Sequence, residues 1–352
     1  MKPWNISNMR RLTVALAALL LLACRPSGGQ VPASGHRFEV VRMLPITPVK
    51  DQGANETCWI YAMLAVVETE HLVMGDSVSL SVDYVARQWL THEGRKAFNA
   101  GAKKARISMR GVAPMTLRML SESGVVPFDS YNNENANFSG VAKRMARLAG
   151  LSRSFPDFAD KAQRLMDEGI GALPATVYMY GFKYTPQEFA RSVCRDGEYV
   201  ALCSTERHPY GELVDLELPD NQTHERFMNL PVDSLLSLTL NSIREGHPVL
   251  WEGDISEPGF SFSQGVADTE AANRQQELDT NRTTDDHCMA IVGLATDPAD
   301  HRRWFIVKNS WGKDNPYGGL MYLSEDYFRM KTVAIVAQSR LLSRPLSSPN
   351  KH

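Results

Sequence analysis

"QGANETCWIYAMLAVVE", Gln52 to Glu68, sets Cys58 between a polar approach containing Gly53 and a run that is apolar on nearly every side. From Cys58 to Met74 the chain holds neither Gly nor Pro, and Gly75 then supplies a natural helix stop. Apolar side chains occupy every position from 59 to 67. The first half of the predicted helix therefore has no polar face, and the helix belongs at the centre of a fold. A cysteine at its start sits in the field of the first-turn N–H groups, which lowers a thiol pKa and favours the thiolate. The same position suits a buried structural thiol, since free cysteines are among the most buried residue types. The stretch alone leaves both readings open.

Working outward, further helices are predicted around 81–98, 114–123, 139–168 and 232–245. Thr185-Pro186-Gln187-Glu188 has the capping-box pattern with Pro at the first helical position, opening a helix that runs to about Val193. The last third reads differently. "HPVLWEGDI", "HCMAIVGLA", "RWFIVKN", "GGLMYLS" and "TVAIVAQ" are short β-prone runs bounded by Gly, Pro, Asp and Asn, as in a sheet or barrel. Helices first and strands later predict an α+β protein whose two halves meet in a cleft. No fixed-period repeat is present.

A chain of 352 residues, 43% hydrophobic and 22% charged, has enough apolar material for a large core without disulfide staples. Its net charge of −2, with both signs mixed along the chain, excludes the electrostatic footprint of a nucleic-acid binder. The first 23 residues read as an export signal: Lys2, Arg10 and Arg11 precede the apolar run Leu12 to Leu22, which is too short to span a bilayer comfortably. Leu21-Leu22-Ala23-Cys24 resembles a bacterial lipobox, in which the cysteine becomes the lipidated N-terminus; a plain secretory signal is the alternative. Loss of the leader's three basic residues takes the net charge from −2 to −5. "RPSGGQVPASG" then serves as a tether. The expected organisation is a signal peptide over 1–23, a lipidated cysteine and tether over 24–40, a catalytic domain over 41–340 and a tail over 341–352. Export permits disulfides. Cys194 and Cys203 are close enough in sequence to close a small loop, and two reduced buried thiols are the equal alternative.

Three residues give Cys58 a chemical context. Gln52 lies six positions before it, His287 lies in "DDHCMAIVG" at the mouth of a strand, and Asn309 lies in "VKNSWG" at the end of another. A thiolate needs a base that holds its proton and later donates it to the leaving amine, and a histidine base needs an orienter, which an amide oxygen supplies. A tetrahedral intermediate needs donors at its oxyanion. The Gln52 side chain and the Cys58 backbone N–H can provide them together.

In this order, Gln52-x5-Cys58-Trp59, Asp286-His287 and Asn309-Ser310-Trp311-Gly312 resemble the signature of papain-like cysteine peptidases. "GVVPFDSY", "YTPQEF", "LELPDN" and "NLPVDSLLSLTLNSIREGHPVLWEGDISEPGF" are similar to segments of the bleomycin hydrolase or aminopeptidase C branch, particularly its exported forms in Bacteroides-like bacteria. The resemblance covers Pro45 to Val336. It implies a two-lobed fold, with Cys58 as nucleophile on the helical lobe and His287 and Asn309 on a barrel-like antiparallel lobe. It also implies His287 as general acid/base, Asn309 as its orienter and Gln52 as oxyanion donor. Trp311 would shield the His287–Asn309 hydrogen bond, Asp286 would tune the pair, and Gly111 and Trp59 would complete the substrate side.

Departures from the pattern carry expectations of their own. Asn55 stands where the papain subgroup has a second cysteine, which favours the bleomycin hydrolase branch. Thr57 before the nucleophile suggests a differently shaped cleft mouth. Arg110-Gly111 replaces a double glycine that pairs with substrate backbone, so Arg110 narrows the cleft or attracts an acidic side chain. Glu252 and Asp254 read as packing and loop residues. His71, His92, His208 and His247 lie in no metal-ligand spacing, so no metal or cofactor is expected beyond a reducing environment for the thiol. Nothing specifies an oligomeric state. The expected function is hydrolysis of peptides through a thiolate acyl-enzyme at a lipid-anchored site, as an aminopeptidase, with an endopeptidase or a catalytically silent peptide binder as alternatives.

Overall fold

The computed structural model describes residues 35–342 except 102–104, 175, 180 and 271–272. The leader, Cys24, most of the tether and the end of the tail lie outside the described residues. The compact body begins at Phe38, whose ring stacks on Tyr322 with centroids 3.8 Å apart.

Helices α1 (Cys58–Val73), α2 (Val82–Asn99), α3 (Ala113–Ser123), α4 (Phe138–Leu151), α5 (Phe155–Gly169) and α6 (Pro186–Val193) occupy the first half, while α7 (Val232–Glu245), α8 (Arg274–Asp279) and α9 (Glu325–Lys331) lie among strands. The strands run in chain order as β1 (Glu39–Met43), β2 (Val177–Met179), β3 (Phe182–Tyr184), β4 (Tyr199–Cys203), β5 (Leu213–Asp215), β6 (Arg226–Asn229) and β7 (Val249–Gly253). They continue as β8 (Phe260–Ser261), β9 (Val266–Ala267), β10 (His287–Thr296), β11 (Arg303–Lys308), β12 (Leu320–Ser324) and β13 (Thr332–Gln338). Eleven of these form one sheet in the order β5-β6-β4-β13-β7-β10-β11-β12-β9-β8, with β1 added beside β10. The sheet is antiparallel except at β4·β6 and β9·β12, which are parallel.

Helix α1 is the post between the two lobes, packed on β10 and β7 on one side and on α2 and α3 on the other. Trp59, Ile60, Met63, Leu64, Val66 and Val67 are all buried. Each such side chain contributes about 1.5–3 kcal/mol by leaving water, more than the roughly 1 kcal/mol of an N-cap bond. Packing therefore holds the helix although Thr57 makes no side-chain cap. Its polar second half is tied down as well. Glu68 accepts from the Thr47 hydroxyl, from Lys50 Nζ at 2.7 Å and from the Leu80 N–H at 2.7 Å, while His247 Nδ1 lies 3.0 Å from Glu70.

Two expectations are corrected. The segment 139–168 is not one helix: the chain turns extended at Ser152, and Ser154 caps a new helix with Pro156 in its first turn. Pro is well suited there and poorly suited to a helix interior, so α4 and α5 pack as a hairpin against α2. Strand β1 lies in the segment predicted to be tether and domain edge; its five residues are exposed, yet it pairs with β10 from Glu39↔Thr296 to Met43↔Gly293.

Candidate active site

The site begins with a turn. Gly53 has φ +56°, a conformation that favours glycine, and its N–H donates to Asp51 Oδ1 at 2.8 Å. The turn delivers the chain to Cys58 at the first position of α1. No side chain caps that helix, and no acidic residue sits in its first turn. The first N–H groups and the positive end of the helix dipole therefore meet no competing anion from the helix itself.

His287 reaches the same point from the first residue of β10. Its Nε2 lies 2.7 Å from Asn309 Oδ1, at the end of β11, which leaves Nδ1 for the thiol. The Ser310 N–H donates to the same Asn309 oxygen at 2.7 Å, fixing the amide. The Trp311 ring lies 4.7 Å from the imidazole, and Phe260 and Phe262 meet the indole edge-on at 5.8 and 5.4 Å. An aromatic wall of this kind keeps water from the His287–Asn309 bond, which strengthens it.

Gln52 is positioned across the lobes. Residues 50–52 pair with 310–312: the Gln52 N–H donates to Ser310 O at 2.8 Å, and Gly312 N–H to Lys50 O at 3.2 Å. The Gln52 side chain accepts from Ser310 Oγ at 2.6 Å and donates to Asn55 O at 2.8 Å. An amide NH2 carries two hydrogens, so one remains for an oxyanion beside the Cys58 N–H. Gln52, Cys58, Gly111, Asp286, His287 and Trp311 all line one cavity of about 240 Å3.

A residue outside the predicted catalytic set completes the electrostatics. Cys288 follows His287, is buried, and acts on the Cys58 sulfur. Cys288 first, and then the hydrogen bond and positive charge of His287, hold the Cys58 thiol well below its ordinary pKa, although burial pushes the other way. Cys288 itself is pushed well up by burial and by Cys58.

Beneath them lies a second pair. Glu252, which is opposite Cys288 in the β7–β10 register, and Asp285 are both buried and act on each other. Glu252 is pushed up to about 7, first by burial, and Asp285 well above the usual carboxylate range by burial and by Glu252. Glu252 Oε1 and Asp285 Oδ2 find no donor among the other groups around them, as expected of two carboxyls that share a proton. Asp254 behaves as a loop residue, accepting from Ser256 N–H at 2.7 Å and Thr284 N–H at 3.0 Å.

Some expected roles change. Thr57 is 1% exposed and points into the protein, so it does not shape the cleft mouth. Trp59 is fully buried, with its indole N–H donated to Met109 O at 2.9 Å. It backs Gly111, where a Cβ would meet Trp59 Cε2 at 2.9 Å and Met115 Cε at 2.8 Å, and it lines the Cys58 cavity as well. Cys194 and Cys203 are free thiols, both pushed up to about 12 by burial.

A helix-borne thiol, an amide-oriented histidine from a facing sheet and an oxyanion pair between them make the chain a cysteine peptidase with a papain-type fold. Residues 177–349 match the family described as Peptidase C1-like. Aminopeptidase G of Lactobacillus delbrueckii subsp. lactis is 22% identical over 367 residues, spanning 86% of this chain and 83% of that protein. Aminopeptidase W of the same organism is 25% identical, over 64% of this chain and 62% of its own length. Cysteine proteinase 1, mitochondrial, of Saccharomyces cerevisiae is 27% identical over 48% of this chain and 38% of that protein. The solved structure of pepw from Lactobacillus rhamnosis HN001 superposes with a TM-score of 0.70 at 16% identity, covering 96% of this chain and 93% of that one; it shares the fold.

Proposed function

We propose that this peptidase removes residues from the amino end of peptides. The observation that carries the chemistry is the contact of the lowered-pKa Cys58 thiol with His287, itself held by Asn309 at 2.7 Å. The Cys58 sulfur attacks the scissile carbonyl, and the developing oxyanion accepts from the Cys58 N–H and Gln52 Nε2. His287 then protonates the departing amine, leaving a thioester on Cys58. Water, deprotonated by His287, attacks the thioester, and the acid is released as the thiolate reforms. Action at the amino end is supported by the names of aminopeptidases G and W, the former matching over most of the chain. Comparing a free-amine peptide with its N-acetylated twin tests it. Preference for the free amine is expected, and equal cleavage would make the enzyme an endopeptidase.

We further infer that the chain is exported and lipid-anchored, from the basic start, the apolar run Leu12 to Leu22 and the Leu21-Leu22-Ala23-Cys24 sequence. Two covalent chains are the usual requirement for stable anchoring. Metabolic labelling with radioactive palmitate should mark the wild type and not Cys24→Ser, and an unlabelled wild type contradicts the anchor.

A further inference from the structure

Arg110 stands beside Gly111, which lines the Cys58 cavity, and its side chain crosses the cleft. Nε donates to Asp220 Oδ2 at 2.7 Å, and Nη2 donates to the Asp285 backbone oxygen at 2.9 Å. Asp220 belongs to the loop between β5 and β6, and this loop is fastened to the helical lobe. Gln222 Nε2 donates to Arg110 O at 3.2 Å, and Arg118 Nε lies 2.7 Å from Glu225 Oε1. Asn221, 4% exposed, braces the loop from inside by donating to Asp215 Oδ1, Leu216 O and Glu225 O at 2.9–3.2 Å. The loop is thus built to stay where it is.

What this closes is visible in the cavities. The 240 Å3 cavity at Cys58 and a second one of about 820 Å3 share Arg110, Asp220, Asp285 and Asp286 as walls. The second is lined by Ser204, Arg207, Leu218 and Thr283 among others and would extend the groove. The Arg110–Asp220 pair lies on that shared wall. The space left at Cys58 is about eight waters' worth, below the ~300–1,000 Å3 of ordinary ligand sites. It accommodates the end of a peptide and not an extended segment running past Gly111.

We propose that the Arg110–Asp220 bridge is the end wall of the substrate cleft and restricts the enzyme to peptides with a free, positively charged amino terminus. The proposal rests on the aminopeptidase reading and names the residues that impose it. The charges around the wall fit that substrate. Glu56, Asp220 and Asp286 line the Cys58 cavity, and among its described lining residues Arg110 is the one permanent cation, already paired. An ammonium group meets carboxylates there, whereas an acyl cap brings bulk against the wall and loses the charge. Arg110 is 41% exposed in its side chain and Asp220 13%. The wall is therefore a partly exposed ion pair, which substitution can open without unpacking the core.

The test compares kcat/KM for a free-amine peptide and its N-acetylated twin in the wild type, Arg110→Gln and Asp220→Asn, with chloromethyl-ketone labelling of Cys58 to count folded sites. The wild type should favour the free amine by about a hundredfold, as expected for loss of one member of a desolvated charge pair. Each variant should raise kcat/KM on the N-acetylated peptide by about tenfold or more, a gain that damage to the fold does not produce. A wild-type preference that survives unchanged in labelled, folded variants overturns the end wall while leaving the aminopeptidase reading intact. If the variants label poorly, the test is kcat/KM per labelled site, which still reports gain or no gain. Equal cleavage by the wild type removes the aminopeptidase reading and this proposal with it.

Discussion

Replacing Cys288 with alanine removes the largest influence that lowers the Cys58 pKa, read here as a hydrogen bond from the Cys288 thiol to the thiolate. A hydrogen bond to a charged group contributes about 1.5–3 kcal/mol, and a thiol is a weak donor, so the lower end applies. At about 1.4 kcal/mol per pKa unit, the Cys58 pKa should rise by about one unit. The sign follows from which form is stabilised: Cys288 donates to the thiolate, so its loss favours the thiol. The group stays below its ordinary value, because His287 still supplies a hydrogen bond and a charge. The assay is the rate of alkylation of Cys58 by a small haloacetamide against pH. In Cys288→Ala the acid limb of that profile should move about one unit to higher pH, slowing labelling about tenfold on the limb and leaving the alkaline plateau unchanged. Cys288→Ser, which keeps a donor, should move it less. An unshifted profile in folded Cys288→Ala would refute the assignment of Cys288 as a thiolate donor.

Other outcomes follow from the same geometry. Asn309→Ala frees the His287 ring and should lower kcat on the order of a hundredfold with little change in KM, measured under steady-state conditions. Gln52→Ala removes one oxyanion donor and should cost roughly 10²–10³ in kcat, with Cys58 alkylation unaffected. Glu252, pushed up to about 7 in the fold against an ordinary 4.5, binds more protons folded than unfolded between those values. Its contribution therefore falls as pH rises through that window. Thermal melts of Glu252→Gln should accordingly gain on the wild type at pH 8 relative to pH 5, and an equal offset at both would contradict the shared proton.

The candidate catalytic residues were legible because their chemistry is written in local patterns. Cys58 heads a run with no polar face, while His287 and Asn309 sit at strand ends beside turn residues, and their order along the chain matched one known constellation. Gln52 followed from the need for an oxyanion donor. What escaped was set by distance and register. Glu252 meets Cys288 only because β7 pairs with β10, and Arg110 meets Asp220 across 110 residues of chain. Cys288 escaped as well, because on a strand of alternating faces the residue after His287 is expected to face away from it. The break at 152–154 was also readable, since Ser154 with Pro156 is a helix start. Strand β1 was not readable, because all five residues face solvent and its partner lies some 250 residues away.

The central claim is that Cys58 is a nucleophile activated by His287. The direct measurement is labelling of the intact protein by an epoxysuccinyl or chloromethyl-ketone probe, with the modified residue mapped, in the wild type, Cys58→Ala and His287→Ala. The account predicts one label per chain on Cys58, none in Cys58→Ala, slowed labelling in His287→Ala, and loss of peptide hydrolysis in both variants. Unchanged labelling or hydrolysis in Cys58→Ala would contradict it.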